Sequence, residues 1–278
     1  MIDNIIQSVT EKLSSLPYIE GIVLGGSRAR GTHTEDSDID IGIYYNQESF
    51  DLTAINQIAT ELDDENRNNL VVPPGAWGDW INGGGWLVIN GYHVDLILRD
   101  IKRVEQIIKD TEQGIVTANY QTGHPHGYIS AMYRGELAIS KILYAKNESC
   151  ELKNQAERYP TALQKGLTEF FMFEAGFSLM FAENNIDKDD VSYVCGHCFR
   201  SISSLNQVLF AVNKEYCINE KKAVKMIEDF KIKPSDYKER VDKVISLIST
   251  DVECTRKGIE ILQRLVNEVE HLKGADIQ

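Results

Sequence analysis

The stretch that most limits what this chain can fold into runs from Gly25 to Ile43. It reads Gly25-Gly26-Ser27-Arg28-Ala29-Arg30-Gly31, then a polar connection, then Asp38-Ile39-Asp40-Ile41-Gly42-Ile43. Ile39, Ile41 and Ile43 alternate with Asp38, Asp40 and Gly42, the two-residue period of a strand with one buried face. The isoleucines are expected in a core, and the two aspartates side by side on the opposite face. An apolar run over residues 19–24 reads as a preceding strand. The glycine pair closes it, because glycine permits tight turns and close approach of another group to the backbone.

Two carboxylates at this spacing suit a hard divalent cation such as Mg²⁺, which takes oxygen ligands and commonly combines one or two carboxylates with substrate phosphates. The turn before them supplies backbone N–H groups, the Ser27 hydroxyl, Arg28 and Arg30. These groups match the anionic oxygens of a triphosphate. The spacing is not that of a P-loop, which needs G-x-x-x-x-G-K-[ST], nor of a dinucleotide fingerprint.

Gly26-Ser27, followed eleven residues later by Asp38-x-Asp40, resembles the signature of the DNA polymerase beta-like nucleotidyltransferase superfamily. The string Gly26-Ser27-Arg28-Ala29-Arg30-Gly31 is similar to that of its small-substrate and minimal branches, which include the antibiotic nucleotidyltransferases of aminoglycoside and lincosamide type. The resemblance covers residues 19–98. It implies an α/β (α+β) catalytic domain with a mixed sheet, ATP as donor, Mg²⁺ as cofactor, and a third acidic residue on a strand beside the D-x-D strand.

Asp95 is the candidate for that third position. Trp86-Leu87-Val88-Ile89-Asn90-Gly91-Tyr92-His93-Val94-Asp95-Leu96-Ile97-Leu98 is a hairpin signal, with Asn-Gly between two apolar runs. On the outgoing strand Val94, Leu96 and Leu98 share one face, while His93 and Asp95 share the other. A carboxylate in so apolar a strand calls for a partner, since burying it alone is costly. The resemblance makes Asp95 either a third metal ligand or the general base on the acceptor. Residues 63–85 read as loop, punctuated by Pro73-Pro74-Gly75 and Gly83-Gly84-Gly85. Trp77, Trp80 and Trp86 in or beside this loop either line a substrate pocket or cover the sheet edge; the packing reading is favoured, because buried tryptophans usually pack.

The 278 residues carry a net charge of −13 with no basic run, which argues against nucleic acid as substrate. An acidic protein favours a cationic acceptor. The chain opens without the basic start and apolar core of a signal peptide, and it holds no apolar run of membrane length. Its five cysteines are odd in number and irregularly spaced, so a disulfide framework is not expected and a reducing, cytoplasmic setting is. Cys195-Gly196-His197-Cys198 lacks the second ligand pair of a zinc site and reads as part of a buried helix. His124 and His126 fall in a turn.

Helical periodicity marks residues 2–14, 51–62 and 101–112. It then dominates the remainder, with helices expected near 129–146, 155–184, 190–213, 219–230 and 234–271, the last broken near Thr250 or continuous. No strand is expected after Ile101. The domain organisation is therefore read as a catalytic domain at 1–114, a linker at 115–128, and an all-α helical bundle at 129–278. The segment Leu209 to Tyr216, with Lys221 beyond it, resembles a nucleotidyltransferase segment that brings a lysine to the nucleotide, where Lys221 would act as a point charge. Glu169 and Glu174 are acceptor-side candidates ranked below Asp95.

The expected activity is transfer of a nucleoside monophosphate, AMP from ATP, to a hydroxyl of a small acceptor, with a cationic, aminoglycoside-like antibiotic as the candidate. Asp38, Asp40 and Asp95 would hold the metal, and Gly26, Ser27, Arg28, Arg30 and Lys221 the nucleotide. The alternatives are an antitoxin-type enzyme that adds AMP to a protein, and a nucleotide-binding protein without catalysis. The sequence assigns no oligomeric state.

Overall fold

The computed structural model describes residues 1–273. They fall into two compact units: Met1–Asp110 with Thr117–Gly123 and Gly127–Arg158, and Thr111–Val116 with His124–His126 and the described residues from Tyr159 onward.

The first unit is built on a five-stranded sheet. Its elements in chain order are α1 (Ile2–Ser14), β1 (Ile19–Leu24), α2 (Gly26–Arg30), β2 (Ile39–Tyr45), α3 (Leu52–Leu62), β3 (Gly83–Ile89), β4 (Tyr92–Asp100), α4 (Ile101–Glu112), the two-residue strands β5 (Ala118–Asn119) and β6 (Tyr128–Ile129), α5 (Met132–Ile139), β7 (Lys141–Ala145) and α6 (Asn147–Glu157). Strand order is β3-β4-β2-β1-β7. The β2–β4 pair is parallel and the other pairs are antiparallel, giving the expected mixed sheet. The alternation read from the sequence sets the core: Ile39, Ile41 and Ile43 of β2, Val94, Leu96 and Leu98 of β4, and Ile22 and Leu24 of β1 are buried together with Ile5, Val9 and Leu13 of α1 and Ile55 and Ala59 of α3. Asp51 caps α3, its carboxylate accepting from the N–H groups of Thr53 at 2.8 Å and Ala54 at 3.1 Å.

Two acidic residues after α3 fix the β3–β4 hairpin. Asp63 accepts from Arg67 Nη2 at 2.6 Å, Arg67 Nε at 2.9 Å and the Val88 N–H at 2.9 Å. Asp64 accepts from the N–H groups of Asn90 and Gly91, each at 2.8 Å. Asn90 and Gly91 both have positive φ, 52° and 78°, as the two-residue hairpin turn requires.

Three expectations need correction. Gly83-Gly84-Gly85 do not form loop; they open β3. A Cβ on Gly84 would stand 1.9 Å from the Leu96 carbonyl oxygen and 2.7 Å from Trp77 Cζ3, so glycine here admits a close approach rather than a turn. The helix expected at 129–146 is instead α5 followed by strand β7, which pairs antiparallel with β1. Strands therefore do occur after Ile101. The helix at 155–184 is divided as α6 ends and Pro160 caps the next helix.

The second unit is helical: α7 (Thr161–Glu183), α8 (Val191–Val212), α9 (Ala223–Ile227), α10 (Tyr237–Leu247) and α11 (Val252–Leu272). The break near Thr250 is present, and α9 is shorter than the 219–230 expected. The α7, α8 and α11 helices pack on one another, with α10 against α11. A buried hydrogen bond at 2.8 Å runs from Tyr237 Oη to Asn206 Oδ1, and Arg240 meets the Glu268 carboxylate with two bonds of 2.7 Å. Among the described residues no helix is long and apolar enough to cross a membrane.

Candidate active site

The glycine turn is tied to β2 by its backbone: the Gly25 N–H donates to the Asp40 carbonyl at 2.8 Å. Gly26 follows with φ +57°, and a Cβ there would fall 1.8 Å from Asp40 Oδ2. Any side chain at 26 would displace that carboxylate, and the left-handed backbone favours glycine independently. The turn and Asp40 are thus one packed element. Ser27 lies half-buried in the first turn of α2, and Arg30 is half-buried at its last residue.

Arg28 is buried, and its guanidinium is turned toward the connection before β2. Nε donates to the Asp38 carbonyl at 3.0 Å and Nη2 to the Ser37 carbonyl at 2.5 Å. This side chain, read from the sequence as a phosphate group's partner, holds the loop that presents Asp38. Asp38 itself stands one residue ahead of β2 and is exposed, whereas Asp40 is half-buried within the strand.

The third carboxylate arrives by strand register. In the parallel β2–β4 pair Asp40 lies opposite Asp95, so the two side chains leave the sheet on one face, one strand apart. Burial, followed by the charges of Asp40 and Asp38, pushes the Asp95 carboxyl up to about 6, with His93 acting in the opposite sense. Burial, then Asp38 and Glu136, also raise the Asp40 carboxyl, with Arg28 opposing. Burial is the larger cause of each shift, and the charges of the neighbouring carboxylates add to it. Among the described residues no three His, Cys, Asp or Glu side chains stand as a ready metal cluster. The donor set is nonetheless all hard oxygen, which fits Mg²⁺ rather than a softer ion.

Glu136 and Arg99 were not singled out from the sequence. Glu136 of α5 takes two bonds from Arg99 of β4, from Nε at 2.8 Å and Nη2 at 3.0 Å, and one from Tyr128 Oη at 3.2 Å. Arg99 is buried and also donates to the Ile81 carbonyl at 2.7 Å. Trp86 of β3 departs from the packing role expected of it. It lies opposite Asp95 in the antiparallel β3–β4 register, is 61% exposed, and stacks on Trp77 with ring centres 4.7 Å apart. Trp80, by contrast, is a packing residue as expected, stacked on Tyr128 and covered by the Arg103 guanidinium.

The remaining candidates lie in the helical unit. Lys221 is in an exposed turn before α9, where its N–H donates to Asn219 Oδ1 at 2.8 Å. Glu174 is ion-paired with Arg200, and Glu169 is exposed near Lys165. Cys198 is buried on α8, with its thiol pushed up to about 12 by burial, and His197 stacks on Phe181. His124 and His126 are joined through one carboxylate. His124 Nδ1 lies 3.0 Å from Glu220 Oε2, and the His126 N–H donates to Glu220 Oε1 at 3.0 Å. A recess of the first unit along Thr53, Asn56, Thr60 and Asn69 contains none of the site residues.

The chain is similar to known proteins. Residues 2–117 match the family model of the nucleotidyltransferase domain. A search of curated proteins finds no match. Among solved structures, the chain is similar in fold to a nucleotidyltransferase-like protein from Exiguobacterium sibiricum. That likeness has a TM-score of 0.50 at 11% identity and covers 99% of this chain and 77% of the other. Residues 2–117 are thus similar to a nucleotidyltransferase domain, on a mixed sheet, in a chain that continues into a helical region.

Proposed function

We propose that this protein transfers AMP from ATP to a hydroxyl of a small acceptor and releases pyrophosphate. The observation that carries this reading is the register that sets Asp95 beside Asp40 while the backbone of Gly26 rests against the same Asp40 carboxylate. This supports a triphosphate site beside an acidic centre within three strands. The backbone N–H groups of the glycine turn, with Ser27 and Arg30, contribute donors for phosphate oxygens. The resemblance adds Lys221 as a point charge on the nucleotide. Arg28 is a positioning residue, fixing the loop of Asp38 through two carbonyls.

Asp38, Asp40 and Asp95 would hold Mg²⁺, which when bound supplies charge neutralisation at the phosphoryl and leaving oxygens. In the chemical step the acceptor hydroxyl gives its proton to Asp95, its oxygen bonds to the α-phosphorus, and the bond from that phosphorus to the pyrophosphate oxygen breaks. The rest is positioning and electrostatics. The acidic composition, net −13, supports a cationic acceptor of aminoglycoside type and speaks against nucleic acid.

The test is pyrophosphate release from ATP and Mg²⁺ with a panel of small hydroxylated amines, followed by labelled ATP with lysate proteins. Release that depends on a small acceptor is expected, and Asp40→Asn should lower it about a thousandfold or more while leaving the fold intact by circular dichroism. Undiminished turnover in Asp40→Asn would remove the acidic centre from the mechanism. Label appearing only on protein would replace the small acceptor with the antitoxin-type reaction.

A further inference from the structure

We propose that Trp86, backed by Trp77, is the platform on which the acceptor lies, and that the acceptor presents a saturated hydroxylated ring bearing ammonium groups. This rests on the transfer reaction proposed above and deepens it. Asp40, Asp95 and Trp86 occupy one row across β2, β4 and β3: Asp40 is opposite Asp95, and Asp95 is opposite Trp86. Directly paired residues share a face, with Cβ atoms about 5 Å apart. The indole is therefore the immediate lateral neighbour of the proposed base, on the side away from Asp40.

In-line displacement then assigns the two substrates to opposite sides of that row. The phosphate cradle follows β1 at Gly25 and Gly26, so the leaving pyrophosphate lies toward the β1 side of Asp40. The attacking oxygen must come from the opposite side of the α-phosphorus, which is the side of β4 and β3. Trp86 is the large side chain waiting there.

The indole is also held in place by the backbone around it. Trp77 stacks on it with ring planes 21° apart. Room for Trp77 exists because position 84, two residues before Trp86 on the same face, is glycine; a Cβ there would stand 2.7 Å from Trp77 Cζ3. Trp77 is anchored in turn, its N–H donating to the Asn82 carbonyl at 3.0 Å and its carbonyl accepting from Gln121 Nε2 at 2.6 Å. A rigid aromatic face left 61% exposed beside a carboxylate forgoes burial that ligand binding would restore. An aromatic face attracts cations and apolar C–H faces, and the neighbouring aspartates attract ammonium groups and accept from hydroxyls.

The experiment uses isothermal titration of the full chain with Mg²⁺ and α,β-methylene-ATP, a donor that cannot be transferred. The ring probes are 2-deoxystreptamine and uncharged myo-inositol. Wild type should bind the donor and then 2-deoxystreptamine, with myo-inositol weaker. Trp86→Ala should weaken 2-deoxystreptamine about tenfold or more with donor affinity unchanged, and Trp86→Phe should retain most of the binding. The platform is overturned if the alanine variant binds 2-deoxystreptamine as wild type does, or if wild type binds the donor but not the diamine. It is also overturned if Trp86→Ala weakens the donor, which would place the nucleobase on the indole. Equal binding of myo-inositol overturns the ammonium requirement. Failure of wild type to bind the donor with Mg²⁺ overturns the transfer reaction itself and this inference with it.

Discussion

The two faces of the β2–β4 pair are made from the same fourteen positions in register, yet they do opposite things. One carries Ile39, Ile41, Ile43, Val94, Leu96 and Leu98, all fully buried. The other carries Asp40, Gly42, Tyr44, Asp95, Ile97 and Arg99. The first face stabilises by removing apolar area from water. The second holds two carboxylates partly desolvated against each other, which opposes folding, and sets Arg99 and Glu136 into a paired network beside them. What the contrast teaches is that a strand period of two lets a stable sheet carry an electrostatically unfavourable centre without weakening its own core.

The contrast is broken most strongly from the core side. Ile41→Ala should lower stability by about 3 kcal/mol in urea unfolding, while the fraction that remains folded keeps nucleotide affinity. A comparable loss of affinity without loss of stability would show that the faces are not separable. The next effect lies where turn and carboxylate meet. Gly26→Ala imposes a Cβ on Asp40 and a strained left-handed residue, costing about 1 to 2 kcal/mol of stability; its nucleotide affinity by calorimetry should fall much more than that of Ile41→Ala. Unchanged affinity would remove the cradle from this turn.

The smallest effect sharpens the comparison at the hairpin that brings Asp95 into register. Hydrogen bonds from Arg67, with the backbone N–H groups of Val88 and Arg67, hold the Asp63 carboxyl well below its ordinary value of 3.8 against the opposing effect of burial. Because the folded value lies below the unfolded one, this stabilisation is fully present above about pH 4 and is lost as pH falls toward the folded value. Asp63→Asn should cost about 1 kcal/mol at neutral pH and flatten the acid limb of the stability profile. A variant with an unaltered acid limb would show that Asp63 does not govern it.

The periodic parts of this molecule were legible in the sequence, and the parts set by distant pairing were not. Alternating isoleucines over 39–43 and the Asn90-Gly91 turn define β2 and the hairpin locally, and the structure has both. Strand β7 escaped because Lys-Ile-Leu-Tyr-Ala is five residues long and continues a helical pattern from α5; only its pairing with β1 makes it a strand. Gly83-Gly84-Gly85 carry the composition of a turn, while the neighbours that require glycine there, Leu96 and Trp77, are remote or irregular in sequence. At the site, the positions of Asp40 and Asp95 follow from alternation and turn chemistry. The burial of Arg28 on two loop carbonyls and the Arg99–Glu136 pair do not, since each depends on partners that no local pattern joins. Trp86 was assigned to packing because tryptophan usually packs, and its exposure is a property of the register.

Strand β7 has a consequence for how the molecule comes into being. Its pairing with β1 joins residues 21–24 to residues 141–145, so during synthesis the outer edge of β1 waits more than a hundred residues for its cover. Until then a row of open backbone donors and acceptors is available to other chains. The stretch that matches the nucleotidyltransferase domain ends at 117, before that cover exists. A fragment cut there carries the acidic centre and the glycine turn but leaves the β1 edge open, and it should associate with itself more readily than the longer chain, whose sheet ends on that side in the short β7.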